Sequence, residues 1–299
     1  MRILGSRSGL NAGAPVRTEV HPPGSGTTLA SMEQTKVRVA VVGAAGRMGR
    51  EVLRAVGSDP HFEVVAAIDR SEIGSNTREL AGALGPDLVV EENLEAALDR
   101  TKPDVTIEFS HQSVALDHAR AETERGISFV FGMTGISEAS LEQMRELCEK
   151  HSTPGMYVPN FAIGAVLMMR FSELAAKWLP DAEIIEFHHD RKEDAPSGTA
   201  MLTAQKIGQS RVHAPTPLPK TLFKAEGARG GSVSEVPVHS VRLPGLLAHQ
   251  EVIFGGPGET LTIRHDSLDR ASFMQGVKLC ARTVRSLEGL VIGLDKILF

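Results

Sequence analysis

The stretch that decides the fold runs from Val37 to Gly49 and reads VRVAVVGAAGRMG. Its first six residues form a β-branched run, which is typical of a strand buried on both faces of a parallel sheet. A turn with three glycines follows at once, and apolar residues at helical spacing then predict a helix over Arg50–Val56. Strand, glycine turn and helix in this order form the first unit of an α/β fold.

The same alternation continues through the first half of the chain. Further strands are predicted at Phe62–Ile68, Asp104–Phe109 and Ser128–Phe131, and helix-like sequence precedes each of them. An amphipathic helix is predicted at Glu138–His151. This pattern indicates an open, Rossmann-like, doubly wound parallel sheet.

The pattern changes after about Asn160. The predicted elements are a long helix at Phe161–Leu179, a helix that opens at Ser197, and strands at Ala182–His188, Val236–Arg242, His249–Phe254 and Thr260–His265. Such strands, joined by glycine and proline turns, indicate an α+β domain with a largely antiparallel sheet. The last helical stretch, Arg270–Ser286, is expected to pack back on the first domain. We therefore assign residues 36–160 plus 266–299 to the first domain and residues 161–265 to the second.

Composition excludes several classes of protein. The 299 residues carry a net charge of -5, and no basic run suggests nucleic-acid binding. No apolar stretch approaches the roughly 20 residues of a membrane helix. The two cysteines, Cys148 and Cys280, lie far apart without partners at metal spacing, which favours reduced packing residues in a cytoplasmic protein without a metal site.

The first 31 residues differ from the rest because they are rich in Gly, Ser, Pro and Thr and lack hydrophobic periodicity. Three interpretations compete: an added or upstream leader that precedes Met32, a disordered native tail, and an organelle transit peptide. We favour the leader and exclude residues 1–35 from the predicted fold.

The glycine turn has the form of a phosphate-binding site. Glycines let the backbone turn tightly and approach a pyrophosphate, whose charge is held by the helix N-terminus. The spacing is G-x-x-G-x-x-G rather than G-x-G-x-x-G, and a glycine turn without any ligand is the alternative. The strand before it, the helix after it and an acidic residue downstream favour a dinucleotide. The predicted contacts are Gly43, Ala44, Ala45, Gly46, Arg47 and Met48.

The acidic residue is Asp69, twenty positions past Gly49 at the end of the second predicted strand. A carboxylate at this place accepts hydrogen bonds from the ribose hydroxyls of the adenosine and favours NADH. Arg70 and Arg47 could instead pair with the 2′-phosphate of NADPH. Both cofactors therefore stay open, and a solvated Asp-Arg pair is the alternative without a ligand.

Two later loops fall where parallel strands end, the edge at which open α/β sheets bind ligands. We expect them to line the nicotinamide end of a cleft, although each could be a plain turn. Their residues are Gly132, Met133 and Thr134 in one loop and Val158, Pro159, Asn160 and Phe161 in the other.

The densest group of reactive side chains lies in residues 186–200, EFHHDRKEDAPSGTA. His188 and His189 are adjacent at the end of a predicted strand, so their side chains are expected on opposite faces and a shared metal ion is disfavoured. Lys192 adds a cation that can donate a proton. Ser197 and Thr199 stand at a helix start, where hydroxyls and free N–H groups can bind a carboxylate, although N-capping alone would also explain them. Together these residues indicate an anionic substrate and proton transfer.

Four stretches carry a resemblance to the dihydrodipicolinate reductases from Lys36 to the C-terminus: VAVVGAAGRMGREV, PNFAIGAVLMM, EFHHDRKEDAPSGTA and HSVRLPGLLAHQEVIFG. The resemblance implies reduction of a cyclic imine dicarboxylate by NADH or NADPH on the diaminopimelate route to lysine. It also implies a homotetramer whose substrate domains pair through their sheets. It assigns proton transfer to His188, as donor and acceptor, and to Lys192, as a second donor that also contacts the substrate. The other residues that it assigns to the substrate are His189, Ser197, Gly198 and Thr199, and those that it assigns to the adenosine ribose are Asp69 and Arg70.

One departure from the family pattern is visible. The loop that is usually G-T-T-G in the family is G-M-T-G here, so Met133 removes a hydroxyl near the predicted nicotinamide site. Two other functions compete with the reductase: another two-domain oxidoreductase with the same cofactor half, and a nucleotide-sensing binding protein. The segment HHDRKEDAPSGT argues against the first, and tolerance of alanine at His188 and Lys192 would favour the second.

Overall fold

The computed structural model describes residues 35–217 and 222–299, so the predicted leader lies almost wholly outside the described residues. Within these ranges the chain builds two sheets. The strands of the first sheet are β1 (Val37–Val42), β2 (Phe62–Ile68), β3 (Val90–Glu91), β4 (Val105–Glu108), β5 (Ser128–Phe131), β6 (Gly155–Tyr157) and β12 (Leu290–Ile292).

The first sheet is a doubly wound parallel sheet, as predicted. Its strand order is β12-β6-β5-β4-β1-β2-β3, and every neighbouring pair is parallel. Its helices are α1 (Arg47–Gly57), α2 (Thr77–Ala81), α3 (Leu94–Thr101), α4 (Ala115–Thr123) and α5 (Glu138–His151). Strands β1, β2 and β5 and helix α5 keep their predicted bounds because each is a continuous apolar run or a clear amphipathic period.

Helix α1 begins earlier than predicted, directly after the glycine turn, with Gly46 in extended conformation as its N-cap. The glycines have steric reasons. Gly43 has φ +77°, and a Cβ there would come within 2.8 Å of the backbone of Phe109. A Cβ on Gly49 would lie 2.0 Å from the carbonyl oxygen of Gly43, so the helix can pack on the turn only without a side chain here.

The middle of the chain forms a second sheet and two helices. The elements are α6 (Ile163–Ala175), β7 (Asp181–His188), α7 (Gly198–Ser210), β8 (Gly231–Val233), β9 (Val236–Arg242), β10 (Ala248–Gly256) and β11 (Glu259–Ser267). The strand order of this sheet is β11-β10-β7-β9-β8. The predicted antiparallel character is confirmed for three of its pairings, whereas β7 and β9 are parallel. Residues that alternate along β7 face a core shared with α6 and α7, which includes Ile184, Ala204 and Val252.

Helix α6 is shorter at both ends than predicted. At its start the side chain of Asn160 accepts a hydrogen bond from the N–H of Ala162 at 2.9 Å, and Ala162 keeps an extended conformation. At its end the chain leaves the helix after Ala175 through a turn, in which the N–H groups of Trp178 and Leu179 donate to the carbonyl oxygen of Ala175, both at 2.9 Å.

The C-terminal segment returns to the first sheet, as predicted. It forms α8 (Met274–Thr283) between two short 3-10 turns, then β12, then α9 (Asp295–Leu298). Val277 and Cys280 are fully buried in the same core as Val41 and Val52. In the described ranges no helix combines the length and the apolar character needed to cross a membrane.

Candidate active site

A cleft lies at the carboxyl ends of the parallel strands, where ligands bind in open α/β sheets. It consists of a cavity of about 730 Å³ over the ends of β1, β2 and β4, and a second of about 470 Å³ toward β5. The two share Gly46, Phe109, Ser110 and His111, so they form one groove. Its volume and the exposed N-terminus of α1 fit a dinucleotide.

The groove collects most of the predicted cofactor residues. Gly43, Gly46, Asp69 and Arg70 line the first cavity, and Gly46, Arg47, Met48, Gly132, Met133 and Thr134 line the second. Ala44 and Ala45 are buried in the turn, so any contact from them comes through the backbone. Val158 and Phe161 are buried as well, and the Phe161 ring packs on Phe109 with centroids 5.5 Å apart. Pro159 is exposed next to them.

Met133 both lines the second cavity and belongs to the core. The residue is only 5% exposed and packs in the core cluster of Phe131, Met144 and Tyr157. The side chain at this position therefore contributes to core packing, and its contact with the cofactor stays a prediction.

Asp69 is held in place by the chain itself. Its Oδ2 accepts a hydrogen bond from the N–H of Ala45 at 2.9 Å, and its Oδ1 accepts from the N–H and hydroxyl of Ser71, both at 2.9 Å. Oδ1 thus has both of its lone pairs occupied, whereas Oδ2 has one lone pair left for a ribose hydroxyl. The residue after it, Arg70, is exposed beside the same cavity.

A polar group that no sequence pattern had marked supports the groove wall from β4. Glu108 is fully buried and accepts hydrogen bonds from Ser110 and, at 2.8 Å, pairs with Nδ1 of His118. Ser110 and His118 both line the first cavity. The sequence feature that could have identified this group is the position of Ser110, which directly follows a predicted strand at the ligand-binding edge of the sheet.

Behind this group lies a second buried carboxyl, that of Glu122 in α4. Neither of its oxygens has a hydrogen-bond partner among the described residues. Burial and, next, the charge of Glu108 raise the pKa of Glu122 well above its usual range, and Thr106 opposes this only in part. Burial therefore favours the neutral form of the Glu122 carboxyl in the folded protein.

A third, narrow cavity of about 50 Å³ lies against the second sheet. It brings together predicted residues that are far apart in the sequence: Asn160 before α6, His188 at the end of β7, and Ser197 and Thr199 at the start of α7. Asn160 was predicted at the cofactor, yet its side-chain N–H donates to Oγ1 of Thr199 at 3.3 Å. Asn160 thus connects the loop after β6 to the helix that was predicted to bind the substrate.

The start of α7 has the geometry of an N-cap and of an anion site at once. Ser197 is extended and its Oγ accepts from the N–H of Ala200 at 3.3 Å. Gly198 is the first helical residue, and a Cβ there would meet no neighbouring atom. The capping interpretation is therefore confirmed, while the free N–H groups of this turn remain available to a carboxylate.

The ring of His188 is positioned by an ion pair between Glu186 and Arg242. Its Nδ1 hydrogen-bonds to Oε2 of Glu186, which lies two residues earlier on the same face of β7. Arg242 of β9 donates to both oxygens of Glu186, at 3.0 and 2.8 Å. Burial alone would raise the pKa of Glu186, but hydrogen bonds from His188, Arg242 and Ser240 outweigh it and lower the pKa to about 2.

Lys192 and His189 do not line the third cavity. Nζ of Lys192 lies 2.7 Å from Oδ1 of Asp194, and this hydrogen bond lowers the pKa of Asp194. Nδ1 of His189 is buried with no hydrogen-bond partner in the part of the chain that the structure describes. Burial, followed by the charges of Arg191 and His188, lowers the pKa of His189.

The strands add residues that no local pattern had marked. His249 and Gln250 of β10 and His265 of β11 line the third cavity. Burial lowers the pKa of His265, Asp266 opposes this, and His249 adds to it. Across residues 35–217 and 222–299 no group of three or more His, Cys, Asp or Glu is arranged to hold a metal ion.

Comparison with known proteins gives consistent results over both halves of the chain. Residues 37–161 match the family described as dihydrodipicolinate reductase, N-terminus, and residues 164–298 match dihydrodipicolinate reductase, C-terminus. A 4-hydroxy-tetrahydrodipicolinate reductase of Geobacillus thermodenitrificans is 47% identical over 262 residues, which cover 88% of this chain and 99% of the relative. One from Moorella thermoacetica is 46% identical, with 88% and 98% covered.

Solved structures agree. The dipicolinate-bound dihydrodipicolinate reductase from Paenisporosarcina sp. TG-14 superposes with a TM-score of 0.78 at 41% identity, covering 88% of this chain and all of that one. An amine dehydrogenase from Mycobacterium smegmatis has a TM-score of 0.61 at 13% identity, which shows a shared fold alone.

Proposed function

This chain belongs to the dihydrodipicolinate reductase family, and we propose that it reduces 4-hydroxy-tetrahydrodipicolinate to tetrahydrodipicolinate with NADH or NADPH, on the diaminopimelate route to lysine. The observation that carries the substrate side is the third cavity, in which His188 faces the N-terminal turn of α7. A proton-transfer group beside a carboxylate receptor is what a cyclic imine dicarboxylate requires.

The groove over β1, β2 and β4 fits the cofactor. The backbone at Gly43 to Met48 would hold the pyrophosphate, and Asp69 and Arg70 would contact the adenosine ribose. The loop residues Gly132 and Thr134 would lie at the nicotinamide end. When bound, the nicotinamide supplies a hydride to the substrate.

The chain's own residues bind the substrate and supply the proton. Ser197, Gly198 and Thr199 bind one carboxylate at the start of α7, and His189 and Lys192 are assigned to substrate contact as well. His188 exchanges a proton with the reacting ring, with Lys192 as the second donor. For Lys192 to reach the third cavity, its side chain must leave Asp194, and the anionic substrate provides the competing charge.

The test is a coupled assay in which a synthase generates the substrate and the oxidation of NADH or NADPH is followed. We expect turnover with at least one cofactor, and a loss of about 10²-fold or more in kcat for His188→Ala and Lys192→Ala. His61→Ala is the matched control, because His61 pairs with a carboxylate, Asp59, at 2.9 Å and lines none of the described cavities. Failure with both cofactors, together with reduction of a different substrate, would reject the function.

We also propose that the protein is a homotetramer. The face of the second sheet that α6 and α7 leave uncovered carries Ile185 and Ile253 beside a cavity of about 1160 Å³, and a sheet face of this kind can pair with a second copy. Native mass spectrometry would test the tetramer, and Ile185→Glu is expected to dissociate it.

We propose that the protein is cytoplasmic and that its two domains are residues 36–160 plus 266–299 and residues 161–265. Burial of both cysteines raises the pKa of each thiol to about 12, which is consistent with the inert, reduced thiols of a cytoplasmic protein.

A further inference from the structure

Beneath the third cavity, Glu186 and Arg242 form an ion pair that neither contacts the cavity nor is explained by substrate binding. Glu186 is fully buried, although a lone buried carboxylate would be strongly destabilising. Its carboxylate pairs with two cationic or titratable side chains, Arg242 and His188. An apolar pair would fill this space at lower cost, so a role in the reaction explains the arrangement better than stability does.

The hydrogen bond between Glu186 and His188 fixes the state of the imidazole. Because Glu186 is ionised, it accepts a hydrogen, and Nδ1 of His188 must carry it. Nε2 is then the nitrogen left for the cavity, and the negative charge stabilises the ring when Nε2 takes up a proton. The same arrangement of carboxylate, imidazole and reacting group orients the base in many hydrolases.

Arg242 extends the connection to the loop that carries Lys192. Besides its two bonds to Glu186, Arg242 donates to the carbonyl oxygen of Asp194 at 2.7 Å. The side chain of Asp194 in turn holds Nζ of Lys192. Hydrogen bonds from Arg242 and Lys192 to the backbone and the side chain of Asp194 therefore connect the two groups that are assigned to proton transfer.

We propose that Glu186 and Arg242 are positioning residues for proton transfer, a proposal that rests on the proposed function. Glu186 sets the tautomer and the charge of His188, and Arg242 fixes the loop of Lys192 relative to that histidine. Other charged or titratable groups near His188 are His189 on the adjoining loop, His249 on β10 and His265 on β11, and none of these is bonded to its ring in the described residues.

The test is the pH dependence of kcat/KM for Glu186→Gln. Glutamine keeps a hydrogen-bond acceptor but removes the negative charge, so the protonated imidazole of His188 loses its electrostatic stabilisation. The basic limb of the profile should move to lower pH by about one unit or more, and kcat/KM at pH 8 should fall about 10-fold or more. Arg242→Lys retains a cation but loses the bidentate contact, and it should lower kcat with the substrate KM changed less than about threefold.

Asp59→Asn is the matched control. Asp59 is likewise a carboxylate paired with a histidine and a cation, His61 at 2.9 Å and Lys278 at 3.1 Å, and it lines none of the cavities described above. It should leave the pH profile unchanged. If Glu186→Gln only lowers activity without moving the limb, its role is structural and the proposal is wrong.

A measurement on the wild-type protein covers the case in which Glu186→Gln does not fold. Nitrogen-15 NMR of the histidine rings, assigned with His188→Gln, should show neutral His188 as the Nδ1–H tautomer. An Nε2–H tautomer would overturn the proposal. Wild-type turnover is recorded first, so a failed reductase assay is distinguished from a failed positioning role.

Discussion

Asp69 receives a hydrogen bond from the backbone N–H of Ala45 at 2.9 Å, so the carboxylate after β2 and the glycine turn after β1 are held as one unit. The residue proposed to contact the ribose thus also braces the loop proposed to hold the pyrophosphate. A single contact therefore links the two parts of the proposed site for the adenosine diphosphate half.

Replacing Asp69 with Asn should change the choice between cofactors more than it changes stability. The amide oxygen can still accept from Ala45, but it no longer repels a 2′-phosphate and accepts more weakly from a ribose hydroxyl. We expect the ratio of kcat/KM for NADH over NADPH to fall by about 10-fold, a difference of about 1.4 kcal/mol. Steady-state kinetics with both cofactors measures it.

Arg70→Ala is the companion variant and should shift the same ratio in the opposite direction, because Arg70 is the exposed cation beside Asp69. If both variants leave the ratio within twofold of the wild type, cofactor choice is not made at this position.

Ser197 should have two separable roles, since it caps α7 and lines the third cavity. Ser197→Ala is expected to lower the free energy of unfolding by about 1 kcal/mol and to raise the substrate KM. Ser197→Asp preserves the cap but places a negative charge against the substrate carboxylate, so kcat/KM should fall about 100-fold with little loss of stability. Urea unfolding and steady-state kinetics separate the two effects.

The matched control is Ser137, which caps α5 by accepting from the N–H of Ser140 at 3.1 Å. Ser137→Ala should cost a similar amount of stability and leave KM unchanged. Equal effects of the two alanine variants on KM would mean that Ser197 is only a cap.

Met133→Thr should affect folding rather than cofactor binding, because the Met133 side chain is buried among Phe131, Met144 and Tyr157. The smaller, polar side chain is expected to lower the free energy of unfolding by about 1–3 kcal/mol. The KM values for both cofactors should change less than about twofold. Met133→Leu conserves volume and should cost less; tighter cofactor binding by the threonine variant would contradict this expectation.

Glu122→Gln should stabilise the protein, and more so at higher pH. In the unfolded chain the carboxyl loses its proton near 4.5, whereas burial and the charge of Glu108 raise its pKa in the folded state. As pH rises above that value, ionisation stabilises the unfolded state, so the free energy of unfolding falls. Glutamine does not ionise and therefore removes this loss of stability. We expect Tm at pH 8 to rise by about 2–4 °C, and by less at pH 5.

Glu124→Gln is the control for this change, since Glu124 is exposed at the end of the same helix. Its Tm should match the wild type at both pH values. A loss of stability in Glu122→Gln at pH 8 would show that Glu122 is ionised in the folded protein.

The sequence predicted those parts of the fold and the site that local patterns encode. Strands such as Phe62–Ile68 are long apolar runs, and they were found with their bounds. The two-residue strand Val90–Glu91 and the edge strand Leu290–Ile292 were not, because strands this short form only where a neighbouring strand offers hydrogen bonds.

In the site, His188, Ser197 and Thr199 were found because they share one motif and one cavity. Arg242 and His265 were not found. Each reaches the site through the pairing of distant strands, and sheet register is a tertiary property that no local spacing reveals.

The strand Leu290–Ile292 pairs with Gly155–Tyr157, although the whole second sheet lies between them in the chain. During synthesis on the ribosome the residues of β7 to β11 therefore emerge before the last strand of the first sheet exists. Until then β6 is an open edge, ready to pair with another nascent chain. The second sheet can assemble early, whereas the first sheet is closed only by a strand that is translated after all of the second sheet.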